Sequence, residues 1–407
     1  MPGLRSTTPR QRAIMDLAGE LATQCAARAE ANDVASIFPH ENYGPLHETG
    51  YLRLFLPERL GGAGASVFDM VLGQEILARG CASTALVAGM HFSLLGRVID
   101  AKAWPEDVLA EICAVLTKDG GTINNCVTEP DLGSISRGGL PSMRAERATG
   151  GWLLTGRKIF VTGAPVLRFL ATGVVLPPSD RAPQGELVSA LVDGRTPGLS
   201  IENTWNGSLG LRGCGNDDVV YDHVFVPDHR IVEPLTIGAP RRPQGGSAWA
   251  LPLAAGVLGV AQAALDTAAH YANTRVPAAL GQPIAGQPHI QQWIGEMAVK
   301  IQAARTVLHD VTRACANGEI ATEDMAATVA PVKYLCSNTA CAVTETALRV
   351  AGGFSMTRSL PLERYFRDAR GGLFQPPQDD LALMLVGRTT LAAEAGRSAT
   401  ENPAAES

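Results

Sequence analysis

Apolar residues along the first part of the chain recur at helical spacing. Ile14, Leu17, Leu21 and Cys25 follow one another at three and four residues, with polar residues between them. The stretch PERLGGAGAS (57–66) breaks that period with turn formers, and Val67 resumes it. In PEDVLAEICAVL, Pro105 is expected in a first helical turn, with acids near the positive end of the helix dipole. From about residue 119 the texture changes. TINNCVTE, GWLLTGRKIFVTG, FLATGVVL, LVSALVDG and DDVVYDHVFVPD are short β-branched runs punctuated by Gly, Pro and Asp, and they read as strands. The helical period then returns in long segments such as LAAGVLGVAQAALDTAAHYA and IQQWIGEMAVKIQAARTVLHDVTRAC, whose small residues suit close helix crossing. The pattern predicts an α+β chain in three blocks: an N-terminal helical domain (1–118), a middle β domain (119–238) and a C-terminal helical bundle (239–395). A polar tail, 396–407, is expected to fray.

Composition narrows the picture. A chain of 407 residues exceeds one ordinary core, in keeping with several domains. A net charge of −6 without a basic block argues against a nucleic-acid or anionic-membrane partner. The eight cysteines form no CxxC and have no histidine pair beside them, so neither a metal site nor a disulfide framework is expected. A reducing cytoplasm is the expected location. MPGLRSTTPRQR is basic but lacks an apolar core, so no secretory signal is expected there. No apolar run is expected to reach the ~18 residues that span a bilayer.

Common signatures are missing: no GxGxxG after a strand, no GxxxxGK[ST], no GxSxG and no HExxH. Five other segments carry the information: CVTEPDLGS (126–134), GRKIFVTGA (156–164), LGLRGCGNDDVVYDHVFVP (209–227), ALRVAGGFS (347–355) and LERYFRDAR (362–370). Together, and in this order, they resemble the acyl-CoA dehydrogenase superfamily, over nearly the whole chain. That resemblance implies a helical domain, a middle β-barrel and a C-terminal four-helix bundle, with FAD as cofactor. It assigns Val127, Thr128 and Thr162 to the flavin ring, Phe160 to a wall over it, and Ser134 to the pyrophosphate. Arg275 would reach a flavin held by a neighbouring subunit, which implies a homodimer or homotetramer. Gly352 and Gly353 would let backbone approach the adenosine portion, with Arg349 in place of a flavin-contacting glutamine and Gln378 also on the cofactor side. Trp249 and Phe374 are the expected substrate contacts. Each position also has a plainer reading: a strand threonine is a good β former, Arg275 can serve a helix end, and a Gly pair can cap a helix.

The chain departs from the family where the chemistry is done. Relatives remove the α-proton of a thioester with a glutamate, in a dry pocket where desolvation raises its pKa. Counting from Arg370, that position falls on Pro376; the position used by a few relatives falls on Trp249. The arginine that grips CoA falls on Ala250 and its partner aspartate on Ser247. Asp379 and Asp380 follow shortly after Pro376 and Pro377. They are candidates for a substitute base, Asp379 first, or else acids at the start of the last helix. The expected function is α,β-dehydrogenation of an acyl group activated on CoA or a carrier protein, with an electron-transferring flavoprotein or a flavin reductase as redox partner. A flavin monooxygenase needs neither the base nor the CoA grip and is the alternative, although the intact CVTEP…GS segment speaks for the dehydrogenase. A redox-silent scaffold is the third reading.

Overall fold

The structure, a computed structural model, describes residues 7–132, 139–180, 182–237 and 246–401. The N-terminal block opens with α1 (Pro9–Ala35). Its start is set by Thr8, whose hydroxyl accepts from the Gln11 N–H while the Gln11 side chain accepts from the Thr8 N–H. A short α2 (Tyr43–Glu48) leads to α3 (Val67–Gly80), which Ser66 and Asp69 start in the same reciprocal way. α4 (Ala82–Ala101) and α5 (Glu106–Asp119) complete the block; Pro105 stands just outside α5 in extended conformation, not within its first turn.

Among the described residues the middle block has eight strands: β1 (Thr122–Cys126), β2 (Arg144–Ala148), β3 (Gly151–Val161), β4 (Leu167–Leu176), β5 (Glu186–Asp193), β6 (Leu199–Glu202), β7 (Asp217–Pro227) and β8 (Ile231–Thr236). They form two four-stranded sheets, in the orders β1-β4-β5-β8 and β2-β3-β7-β6. β1 and β4 run parallel, and the other pairs among the described residues are antiparallel. Leu154, Tyr221 and Val224 of one sheet share a core with Leu170, Val174 and Val188 of the other, and the Tyr221 and Thr172 hydroxyls bond between them at 2.8 Å. The alternation along β7 places Val219, Tyr221, Val224 and Val226 inside, with a shift at the outward His223, whose φ is +50°.

The bundle consists of α6 (Leu251–Thr274), α7 (Pro288–Ala316), α8 (Met325–Ala351) and α10 (Asp379–Glu401), with the short α9 (Leu362–Ala369) between the last two. α10 runs on to Glu401, beyond the expected end of the bundle at 395. Two segments, Ala82–Ala101 and Ala248–Thr274, are long and apolar enough to cross a membrane by length and composition, contrary to the expectation from the sequence. Both lie mostly inside the protein: they are core helices, and their apolarity reflects contact on all sides.

Buried polar groups join the blocks. Glu75 of α3 accepts from the Arg305 guanidinium of α7, which also donates to Gln262 of α6. His91 of α4 donates from Nε2 to the Leu52 carbonyl at 3.0 Å and accepts at Nδ1 from the Ile123 N–H at 3.3 Å. That pairing describes a neutral ring and ties the first strand of the middle block to the N-terminal helices.

Candidate active site

The site starts at the ends of β1 and β3. Glu129, two residues past half-buried Val127, is almost fully buried and accepts from Lys158 Nζ at 2.6 Å, from the Ser142 N–H at 2.7 Å and from the Ser142 hydroxyl at 2.6 Å. Lys158 also donates to the Gly173 carbonyl at 2.6 Å. Burial alone would raise the Glu129 carboxyl, but the bonds from Lys158 and Ser142 outweigh it and hold the group below the usual carboxylate range. This pair fixes the CVTEP segment against β3 and β4. Neither residue was among the sequence candidates, yet both lie inside segments that carry the family resemblance.

Beside this anchor, β3 shifts register between Lys158 and Val161. Phe160 sits at that shift with φ +55°, a region unfavourable to a bulky residue, at a cost of about 1–3 kcal/mol. Its ring is 58% exposed and meets Trp205 edge-on at 6.2 Å. The fold thus holds an aromatic face outward at a backbone cost. Next to it, the buried Thr162 donates its hydroxyl proton to Asn216 Oδ1, and its carbonyl accepts from Asn124 Nδ2 at 3.1 Å. The Thr128 carbonyl accepts from the Ile159 N–H at 3.0 Å. Val127, Thr128, Phe160 and Thr162 are therefore brought together; Ser134 lies outside the described residues.

The loop before β7 clasps α9. Leu211, at φ +53°, gives its N–H to Asp368 Oδ1 at 2.6 Å, and the Leu209 carbonyl accepts from Arg367 at 3.1 Å. Arg367 also holds Asp33 of α1. Two separate sequence segments, LGLRGCGN and RYFRDAR, thus form one structure with the N-terminal block. A cavity lies at this three-way junction, with about 310 Å³ of empty space including its mouth. Leu86 of α4, Leu253 and Val257 of α6, and Leu211 form apolar walls, and its polar side chains are Asp368 and Gln375. A Cβ on Gly371 would stand 2.2 Å from Leu211 Cδ1, so any other residue here would displace that side chain. Asp368 is only 7% exposed, and burial pushes its carboxyl up to about 6.

The aspartates expected to replace the base do something else. Asp379 Oδ1 accepts from Lys333 Nζ at 3.0 Å and Oδ2 from Asn338 Nδ2 at 2.8 Å. Lys333 is buried on α8, so Asp379 serves as its counter-ion at the first turn of α10. Asp380 lies exposed in the same turn, and neither residue lines the cavity. Trp249 is also redirected: it is buried against Phe55, donates from Nε1 to Asp100 at 2.8 Å and fills the space a Cβ on Gly96 would occupy. It belongs to the N-terminal core, because a large indole is accommodated beside a glycine there. Phe374 is 75% exposed and outside the cavity wall; its neighbour Gln375 takes that place. The Gln378 carbonyl accepts from the Ala382 N–H at 2.9 Å as α10 begins. Arg349 pairs with Glu345 one turn away on α8. Arg275 ends α6 with its guanidinium over the Phe354 ring at 4.9 Å, beside Gly352 and Gly353, where an added Cβ would meet open space. Gly352 has φ +57°.

These three blocks match known proteins in the same order. Family models for the N-terminal, middle and C-terminal domains of acyl-CoA dehydrogenases match residues 8–106, 124–224 and 250–390. The chain belongs to the acyl-CoA dehydrogenase family. It is 36% identical to the putative acyl-CoA dehydrogenase YdbM of Bacillus subtilis (strain 168), over 92% of this chain and 95% of that protein. The 3-sulfinopropanoyl-CoA desulfinase of Paraburkholderia xenovorans (strain LB400) is 30% identical, over 94% and 97%. Among solved structures, butyryl-CoA dehydrogenase from Megasphaera elsdenii superposes with a TM-score of 0.82 at 22% identity, covering 96% of this chain and all of that one. TdsC from Paenibacillus sp. A11-2, in complex with FMN and indole, reaches 0.83 at 21% identity, covering 94% and 98%. At these identities the superpositions speak for the fold. The acyl-CoA dehydrogenase family is one of flavoprotein oxidoreductases whose members bind FAD.

Proposed function

We propose that this acyl-CoA dehydrogenase family member is an FAD-dependent enzyme that oxidises an acyl group activated as a thioester, on CoA or on a carrier protein. The observation that carries this reading is the link through Trp205, whose ring meets the outward Phe160 edge-on and whose Nε1 donates at 2.9 Å to the carbonyl of Leu211, a wall of the apolar cavity. The residues fit a flavin. Phe160 offers a ring face, Thr128 a hydroxyl, Thr162 a hydroxyl oxygen whose proton is given to Asn216, and the Glu129–Lys158 pair keeps that strand end rigid. Arg275 and the open Gly352–Gly353 turn suit the adenosine end of a flavin bound across a homo-oligomer boundary.

When bound, FAD supplies a two-electron acceptor. The remaining work falls to the chain itself. Leu86, Leu253 and Val257 give the cavity an apolar wall of the kind against which an acyl chain packs. Gln375, at the same wall, would orient a thioester carbonyl through its amide N–H. The relatives with printed substrates, such as 3-sulfinopropanoyl-CoA desulfinase, support a thioester as the substrate class. Ala250 and Ser247 favour a less tightly gripped CoA, or a carrier-protein arm; Ser247 uses its hydroxyl to accept from the Trp249 N–H at 3.2 Å.

Anaerobic addition of butyryl-CoA to the FAD-loaded protein is expected to bleach the flavin near 450 nm (~450 nm is the general oxidised-flavin band) and yield the α,β-unsaturated thioester. The monooxygenase reading is favoured by the same two losses, of the base at Pro376 and Trp249 and of the CoA grip at Ala250 and Ser247. It would gain if thioesters left the colour unchanged while reduced flavin and oxygen gave a product heavier by one oxygen atom.

A further inference from the structure

We propose that Asn216 is a positioning residue for the bound flavin: it takes the Thr162 hydroxyl proton and so presents the Thr162 oxygen to the ring as a hydrogen-bond acceptor. This rests on the reading above that FAD lies against the Phe160–Thr162 strand end, the cradle. The pairing follows from strand register. Val161 of β3 stands opposite Asp217 of β7 in an antiparallel ladder, so Thr162, one residue on, faces Asn216, one residue back. There the Thr162 hydroxyl donates to Asn216 Oδ1.

The backbone around the pair is fixed on every side. The Thr162 carbonyl accepts from Asn124 Nδ2 at 3.1 Å. The Cys214 carbonyl accepts from the Gly163 N–H at 2.9 Å, and the Gly215 carbonyl from the Ala164 N–H at 3.1 Å. Gly163, at φ +78°, lies so close to α4 that an added Cβ would stand 2.7 Å from Val87 Cγ1. Asn216 and Thr162 are therefore held in place by their own main chains, and the hydroxyl proton is the one part of the pair left to choose a direction.

A threonine hydroxyl has one proton to give and two lone pairs to offer. With the proton given to Asn216, the lone pairs are what a ligand meets. Leu211, at the head of the loop that carries Asn216, is a wall of the apolar cavity, so the ring edge at this strand end is the edge on the acyl side. Substrate hydride goes to flavin N5, which places N5 on that side. Oxidised N5 has a lone pair and no hydrogen; two electrons and a proton, delivered as hydride, put a hydrogen there. The Thr162 oxygen accepts from that hydrogen in the reduced flavin and meets lone pair with lone pair in the oxidised one. Asn216 thereby favours the reduced flavin, and it acts through Thr162.

The test reads the flavin midpoint potential of the FAD-loaded protein against a reference dye, without any acyl substrate. Asn216→Ala frees the hydroxyl to turn its proton toward N5. It is expected to move the balance about 10-fold toward the oxidised form, a midpoint about 30 mV lower for a two-electron couple. Thr162→Val removes the hydroxyl through which Asn216 acts, so the double variant should match Thr162→Val alone. An unchanged or higher midpoint in Asn216→Ala overturns the proposal, and so does a further fall when Asn216→Ala is added to Thr162→Val. If Asn216→Ala does not fold or hold FAD, nitrogen NMR of the native protein loaded with FAD labelled at N5 decides. An oxidised N5 resonance shifted upfield, as a hydrogen-bonded N5 is, overturns the proposal; an unshifted one supports it. A native protein that takes up no FAD rejects the flavin reading itself, whereas normal FAD uptake with an unmoved potential rejects Asn216 alone.

Discussion

Two buried lysine–carboxylate pairs lie in different parts of this molecule and do different work. In the middle block, Lys158 and Glu129 are both almost fully buried, and their contact at 2.6 Å locks a strand end beside Phe160 and Thr162. In the bundle, Lys333 is buried but its partner Asp379 is partly exposed, and their contact at 3.0 Å fastens the start of α10 to α8. The first pair builds the cradle. The second neutralises a carboxylate that the primary structure put near the place of a catalytic base. A carboxylate close to the reactive position along the chain is thus no measure of a carboxylate close to it in space.

The contrast can be broken most forcefully at Lys158. Lys158→Met leaves Glu129 buried without its cation, and a loss of roughly 3–5 kcal/mol in denaturant unfolding is expected, together with loss of FAD. A stable, yellow Lys158→Met protein would show that the cradle does not depend on the pair.

The root of the cradle responds to acid. His91 is pushed down to about 4 by burial, with the Leu52 carbonyl opposing. Between that value and an unfolded value near 6.5 the unfolded chain binds a proton that the native chain does not. Stability is therefore fully present above about pH 6.5 and falls as the pH drops toward 4, by up to about 3 kcal/mol from this group. His91→Gln should flatten that part of the stability–pH curve; an unchanged slope would remove His91 as its source.

At the second pair, Asp379→Asn takes the counter-ion from Lys333 and should cost about 1–3 kcal/mol, seen as a lower denaturation midpoint. Thioester-dependent bleaching should continue at its native rate, and a collapse of bleaching in a folded variant would return Asp379 to the chemistry.

Phe160→Gly sharpens the comparison on the cradle side. Relief of the positive φ is expected to stabilise the fold by about 1 kcal/mol, while FAD dissociates faster because the ring face is gone. Calorimetry and flavin fluorescence read the two effects separately. The smallest change belongs to Arg349→Ala: its pair with Glu345 is exposed on both sides, so stability should move by less than about 0.5 kcal/mol. Loss of FAD in this variant would assign the arginine to a flavin in a neighbouring subunit.

Much of this was readable from residue order alone. Helical and strand periods marked the three blocks, because each element must bury one face and the spacing of its apolar residues records which. The motif segments pointed to the family, and Phe160 and Thr162 stand together at the end of β3 because a strand end keeps its neighbours adjacent in the chain. What the sequence left open depended on contacts over long separations. Asp368 lies 157 residues from the Leu211 amide it binds, and its place in the cavity wall follows from how α9 packs on the 209–211 loop and α1. Asp379 became a counter-ion because α8 carries a buried lysine opposite it, and Trp249 became core because Gly96 leaves room for an indole. Periodicity reports whether a residue is buried; its partner, which sets its charge and its chemistry, is chosen only when distant segments close on one another.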